Sequence, residues 1–194
     1  MNIDNIQVYL ASQSPRRKEL LSQMGVNYKI LLVDIDEKVM PDENGYDYVN
    51  RLALEKAQAG CEQVKKEFVP VLGSDTCIVF KGEIIGKPQD ELHATKILQT
   101  LSGNVHQVIS AVAICNASRC NSKVQASKVF FKTLNADEIK TYVKTGEPLD
   151  KAGAYAIQGL AAKFIRHIEG SYSGVMGLPL YETAELLNEF KICI

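Results

Sequence analysis

The side chains able to do chemistry in this chain gather in a few short segments. In Ser12-Gln13-Ser14-Pro15-Arg16-Arg17-Lys18, Ser14 suits a helix N-cap and Pro15 the first helical position. Arg16, Arg17 and Lys18 then crowd the positive end of the helix. The macrodipole disfavours that by about 0.3 to 1 kcal/mol per surface charge unless an anion sits there. Phosphate is the natural occupant: backbone N–H groups, the Ser12 and Ser14 hydroxyls and a guanidinium from Arg16 or Arg17 would converge on its oxygens. A solvated basic turn with no ligand competes evenly with that reading.

Asp75 lies inside VLGSDTCIVF (71–80), a run that otherwise asks to be buried. A carboxylate there must be paired with a cation or metal, or have its pKa raised toward use as a base. A strand-end Asp facing solvent is the alternative, and the apolar residues on both sides speak against it. Gly73 just before it would let a ligand approach the backbone. Val49, Leu52 and Lys56 are separated by three and four residues, so Lys56 lies on the helical stripe that should face the core and either snorkels to the surface or enters a cleft. Lys87, in Gly86-Lys87-Pro88, follows a strand on a rigid turn and is either an exposed loop lysine or a charge presented to a fixed point. The surrounding GEIIGKP resembles a Walker loop but is one residue short and has Pro where Ser or Thr would hold magnesium. No G-x-G-x-x-G follows the first strand, and no G-x-S-x-G elbow occurs. An anion cradle, the carboxylates Asp36, Glu37 and Asp75, and isolated lysines are the components of metal-assisted phosphoryl chemistry.

The elements that must position these groups follow from periodicity. Ile6 to Ala11 reads as a buried strand, followed by a helix from Pro15 to about Met24. A long helical pattern runs from about Asp47 to Lys66, and a strand from Val69 to Phe80 turns through Lys81-Gly82 into a hairpin with Glu83 to Ile85. Asp90 to Leu101 is an amphipathic helix ended by Gly103, and strands Gln107 to Cys115 and Val124 to Leu134 follow. Asn135 and Glu138 make a capping box for a helix that stops at Gly146. Residues 147 to 160 form a Gly-rich loop. A strand from Lys163 to Glu169, a second Gly-rich loop and a helix from Pro179 to Phe190 close the chain. The hairpins exclude a purely parallel sheet, so the expected architecture is α/β, a mixed sheet flanked by helices, in one domain over residues 1–194.

Composition bounds the rest. Hydrophobic residues make up 46% and charged residues 23% of 194, ordinary for a soluble globular protein. A net charge of -1 argues against a general nucleic-acid binder. The absence of a secretory leader or a long apolar stretch predicts a cytoplasmic protein without a membrane span. Cys61, Cys77, Cys115, Cys120 and Cys193 are odd in number and contain no C-x-x-C, which predicts neither a zinc site nor a disulfide framework.

Taken in order, LASQSPRRKELL (10–21), GSDT (73–76), GKP (86–88), LSGNVHQV (101–108), GEPLDKAGAYAIQG (146–159) and GLP (177–179) make the chain resemble the Maf family of nucleotide pyrophosphatases nearly from end to end. The resemblance implies an elongated, two-lobed mixed α/β fold enclosing a deep cleft, related to the enzymes that destroy inosine triphosphate. It implies a house-cleaning hydrolase that cleaves a nucleoside triphosphate to the monophosphate and pyrophosphate with Mg2+ or Mn2+. Asp75 matches the general base, and Ser14, Arg16 and Arg17 the phosphate-binding residues. Glu37, Lys56 and Lys87 match other cleft residues, with Asp75 and Glu37 as metal ligands. SPRR, GSDT and IQG resemble the branch acting on dTTP and UTP, so Arg16, Thr76 and Gln158 become the expected specificity residues. The 7-methyl-GTP branch shows an aromatic after SP, Gln after GSD, and Glu in place of Gln158. An amide such as Gln158 can both donate to and accept from the edge of uracil or thymine. Gly174 departs from the family, where many members carry Asn. The alternatives are a pyrophosphatase for 7-methyl-GTP or another modified nucleotide, or a nucleotide-binding regulator of septum formation with little turnover. The family often forms homodimers.

Overall fold

The computed structural model describes residues 6–64 and 69–193. Among these a seven-stranded mixed sheet is flanked by helices. In chain order the elements are β1 (Val8–Leu10), α1 (Pro15–Gln23), β2 (Tyr28–Ile30), α2 (Gly45–Gln63), β3 (Val71–Phe80), β4 (Glu83–Ile85), α3 (Glu91–Leu101), β5 (Val105–Cys115), β6 (Cys120–Phe131), α4 (Ala136–Val143), β7 (Ile165–Glu169), α5 (Tyr172–Met176) and α6 (Leu180–Glu189). Short 3-10 turns at Glu147–Asp150, Ala152–Ala154 and Leu160–Phe164 fill the connection from α4 to β7. The sheet order is β2-β1-β3-β5-β6-β7, with β4 also on β3. The predicted end of the second helix at Lys66 lies outside the described residues.

The register of β3 matters most for function. Its first residues, Val71 and Leu72, pair in parallel with β1, and its last, Ile78 to Phe80, pair antiparallel with β4. On its other side β3 pairs with β5 continuously from Val71 to Val79. The stretch from Gly73 to Cys77 therefore has a sheet neighbour on one side and an opening on the other, between β1 and β4. Side chains alternate across the sheet, so Asp75 shares with Cys77 the face covered by α2, while Ser74 and Thr76 point to the face covered by α5.

Each face has its own core. The larger one packs α1, α3, α4 and α6 through residues such as Leu20, Leu98, Tyr142 and Leu187. The α2 face is built from small residues: Ala53, Ala57, Cys77, Ala111 and Ala113 surround Val49 and Ile109. Gly73 explains this closeness. A Cβ there would sit 2.3 Å from the Ala53 carbonyl oxygen and 2.7 Å from the Ala57 nitrogen. Gly73 thus admits the α2 backbone, which corrects the expectation that it makes room for a ligand.

Local chemistry accounts for the helix ends. Asn44 accepts from the amides of Tyr46 and Asp47, Asp90 accepts from His93, and Asn135 with Glu138 forms the expected capping box. Ser14 departs from expectation: it occupies the N-cap of α1 behind Pro15, yet its side chain makes no capping bond. β6 begins four residues before the expected Val124, because a tight turn through Asn116 pairs Cys115 directly with Cys120. Their Cα atoms lie 4.1 Å apart and the two are joined in a disulfide, which corrects the expectation that the cysteines stay unpaired. The C-x4-C spacing carries no signal until the hairpin register is known. No helix among the described residues is long and apolar enough to cross a membrane.

Candidate functional site

The opening beside β3 is the mouth of a cleft of about 1010 Å³. Its walls come from the β1–α1 loop, α2, β3, the β4–α3 loop and the 150–158 connection. Ser14, Arg16, Arg17, Glu37, Lys56, Asp75, Thr76, Lys87 and Gln158, all singled out in the sequence, line it together.

At the floor, Lys56 enters the cleft rather than snorkelling to the outer surface. It is 9% exposed on the inner stripe of α2, and its Nζ donates to Asp75 Oδ1 at 2.7 Å and lies 2.6 Å from Glu37 Oε1. The close packing at Gly73 brings α2 near enough for this contact. Asp75 is 7% exposed, so the question of how it is paired is answered by a cation. Glu37 reaches in from the connector before α2 and stays about half exposed. Burial raises its pKa, but the Lys56 hydrogen bond and the charges of Lys56, Lys87 and Arg17 outweigh this and leave it below the ordinary carboxylate value. Asp36, by contrast, faces solvent beside Lys38.

Two further floor residues carried no sequence signal. Tyr48 donates to the Glu37 carbonyl oxygen at 2.9 Å, which ties the connector to α2. Its hydroxyl is pushed up to about 12 by burial and by the Asp75 and Glu37 carboxylates. Cys77 is pushed up to about 12 by burial and then by Asp75, so its thiol stays protonated near neutral pH and is no nucleophile.

The Ser14 side of the cleft presents backbone donors and cations. Pro15 has no N–H, Lys18 N–H already donates to the Ser14 carbonyl, and the amides of Arg16 and Arg17 have no helical acceptor. The first turn holds no acidic residue. Arg17 is fixed by the protein: Nε donates to the Gly177 carbonyl at 2.9 Å, Nη1 to Ser12 Oγ at 3.2 Å and Nη2 to Thr76 Oγ1 at 3.5 Å. Burial lowers its pKa, while Asp75 and Glu37 act to raise it. A guanidinium remains charged through such a shift. Arg16 is also lowered by burial, with Asp150 and Glu147 acting the other way.

Thr76 sits on the opposite face of β3 from Asp75, in a network of hydroxyls. Its Oγ1 lies 2.7 Å from Ser110 Oγ, which donates to the Gly174 carbonyl at 2.7 Å, so Thr76 is the donor in that pair. The Gly177 carbonyl gathers Arg17 and Ser74 as well. The loop carrying Gly174 and Gly177 contributes backbone oxygens, and a Cβ at Gly174 would lie 2.4 Å from Gln125 Oε1, so a larger residue there requires the Gln125 side chain to move.

The remaining wall holds Lys87, exposed on the β4–α3 loop, and Gln158, exposed on the connection from α4 to β7. This connection is pinned to the β4–α3 loop at Gly153, whose N–H donates to the Gly86 carbonyl at 3.1 Å. With φ at +68° and Ile78 Cδ1 2.2 Å from where a Cβ would be, the position demands glycine.

The arrangement gathers two carboxylates on one lysine, and places unpaired amides, cations and an exposed amide side chain around the same cleft. The Maf-like protein family model matches residues 7–190. A dTTP/UTP pyrophosphatase of Pseudoalteromonas translucida is 54% identical over 183 residues, covering 94% of this chain and 96% of the relative. One of Aromatoleum aromaticum is 51% identical over 195 residues, covering 94% and 95%, and one of Escherichia coli O157:H7 is 50% identical over 184 residues, covering 95% and 93%. Among solved structures, the Ham1 protein of Staphylococcus aureus is similar over 95% of this chain and 97% of its own, at 12% identity and a TM-score of 0.49. With a family model reaching from β1 to the end of α6 and relatives this near over almost the whole length, the chain belongs to the Maf family.

Proposed function

We propose that this chain hydrolyses dTTP and UTP to dTMP or UMP and pyrophosphate, with water attacking the α-phosphorus and Asp75 accepting its proton. The observation that carries the reading is the Lys56 ammonium held between Asp75 and Glu37 at 2.7 and 2.6 Å. Lys56 engages Oδ1 of Asp75, which orients the carboxylate and leaves its second oxygen to take a proton from water. Ser14, with no capping bond to make, joins the amides of Arg16 and Arg17 and the Arg16 side chain in holding the phosphates. Lys56 and Lys87 add positive charge where the phosphate oxygens gain negative charge during the displacement.

A divalent cation fits this donor set. Two carboxylates converge on one cationic centre, and Mg2+ or Mn2+ commonly takes one or two carboxylates plus phosphate oxygens and water. Asp75 and Glu37 would be its protein ligands. Bound there, the ion would supply charge neutralisation on the triphosphate.

Base choice falls to the far wall. Gln158 can present a donor and an acceptor to the edge that uracil and thymine share, and an unmatched partner is costly in such a pocket. Thr76 has given its proton to Ser110, so its share in selection runs through Arg17 and the shape of the wall. The names of the relatives favour dTTP and UTP over a modified purine or a regulator without turnover. The reading takes residues 1–194 as one domain, acting on a free nucleotide in the cytoplasm. Product analysis tests it: UTP or dTTP with Mg2+ should give monophosphate and pyrophosphate in equal amounts, and release of orthophosphate would refute it.

A further inference from the structure

We infer that Glu147 is a positioning residue for base selection, a tether whose carboxylate sets the place of Gln158. The inference rests on the reading that Gln158 selects the base.

Glu147 opens the first 3-10 turn after α4, just past Gly146 at φ 76°. Its two carboxylate oxygens do different jobs. Oε1 accepts from the Tyr142 hydroxyl at 2.8 Å, and Oε2 accepts from the Leu160 backbone N–H at 3.0 Å. Tyr142 is 1% exposed and packs edge-on against Phe164, so the carboxylate is anchored to the core on one side. On its other side it grips the chain two residues beyond Gln158. Gly159 lies directly against it: a Cβ there would be 2.4 and 2.5 Å from the two carboxylate oxygens. Any larger residue at 159 would push the tether away.

Gln158 itself is exposed, and no hydrogen bond to another described residue holds its side chain. Its position is therefore set by its flanks. Downstream is the Glu147 tether. Upstream, the Tyr155 hydroxyl meets His106 Nε2 at 2.8 Å, buried beside Phe131. The tether thus acts on the placement of Gln158, while the hydrogen bonds of Glu147 to Tyr142 and Leu160 reach none of Asp75, Lys56 or Glu37.

Glu147→Ala removes the tether, and Glu147→Gln restores it in part. A Gln oxygen can accept from Leu160 while its amide donates to the Tyr142 hydroxyl, both without the carboxylate's charge. For Glu147→Ala, KM for UTP and dTTP should rise about tenfold, the equivalent of one net hydrogen bond to a charged group. The preference for UTP over CTP should fall with it. The kcat and the inhibition by tripolyphosphate, which has no base, should hold, and Glu147→Gln should recover most of the KM. Should Glu147→Ala not fold, Tyr142→Phe removes the core anchor of Glu147, together with the Tyr142 contact to the Ala156 backbone, and should move KM the same way. Placed on Gln158→Ala, Glu147→Ala should cost nothing further in selection. If Gln158→Ala loses selection and Glu147→Ala keeps it, the tether is wrong. If Gln158→Ala itself keeps selection, the base reading is wrong, and hydrogen exchange decides on the tether separately. Faster exchange of the 156–161 amides in nucleotide-free Glu147→Ala supports it, and unchanged exchange overturns it.

Discussion

The floor and the far wall of the cleft are built by different means. The floor stands on regular structure: Asp75 on a strand paired with β5 along most of its length, and Lys56 on a 19-residue helix, pressed together at Gly73 until an ion pair closes at 2.7 Å. The wall stands on connections: Gln158 lies between 3-10 turns, and its backbone is held by a glutamate, a glycine and a tyrosine. A group that must hold a water to a fraction of an ångström gains from rigid support. A group that chooses among bases can sit on a segment free to vary without disturbing the chemistry. The difference predicts that floor variants change turnover on every nucleotide alike, and wall variants change which nucleotide is preferred.

The largest effect should come from Asp75→Asn. Loss of a general base lowers kcat by roughly a hundred- to ten-thousand-fold, and pyrophosphate release should show the same factor for UTP, dTTP and CTP. A factor that depends on the base would break the division. Lys56→Met comes next. It leaves the Asp75 and Glu37 carboxylates without their common partner. Because the cleft admits water, the expected loss is about 1.5 to 3 kcal/mol, read as a lower urea midpoint, with part recovered when Asp75→Asn is added. An additive double variant would mean that the two residues do not act as a unit. Gln158→Ala should lower kcat/KM for UTP by about tenfold, mostly through KM, and leave CTP nearly unaffected.

The smallest effect is one of pH. His106, beneath the wall, is held down to about 4 by burial, against 6.5 ordinarily. Between those values the unfolded chain binds a proton that the folded chain does not, so stability rises with pH through this window and falls as pH drops from 6.5 toward 4. Thermal melts should show that decline, and His106→Gln should flatten it while keeping a partner for Tyr155. Glu37 adds a loss of the same sign below its ordinary 4.5, since Lys56 holds it lower there despite burial.

What the sequence disclosed follows the same division. Lys56 was legible because helical spacing is local: positions 49, 52 and 56 share a stripe whatever the rest of the chain does. Asp75 was legible because a carboxylate in an apolar run is anomalous by itself. The capping box at Asn135 and Glu138 needs four residues and nothing else. Other features depend on partners far along the chain. The split of β3 between β1 and β4, which opens the cleft beside Asp75, is a matter of register. So is the pairing of Cys115 with Cys120. β2 is a three-residue edge with no alternation to betray it, and α5 spans five residues inside a Gly-rich stretch. Glu147 looks like any exposed loop acid until Leu160 is folded back onto it, and Gly73 looks like a ligand passage until α2 fills it.

The central claim is that Asp75 directs water onto the α-phosphorus. Hydrolysis of UTP in heavy-oxygen water, followed by mass analysis of both products, tests it most directly. The account predicts the label in UMP and none in pyrophosphate, at a rate that collapses in Asp75→Asn. Label in pyrophosphate, or an Asp75→Asn variant that turns over at the parent rate, would contradict it.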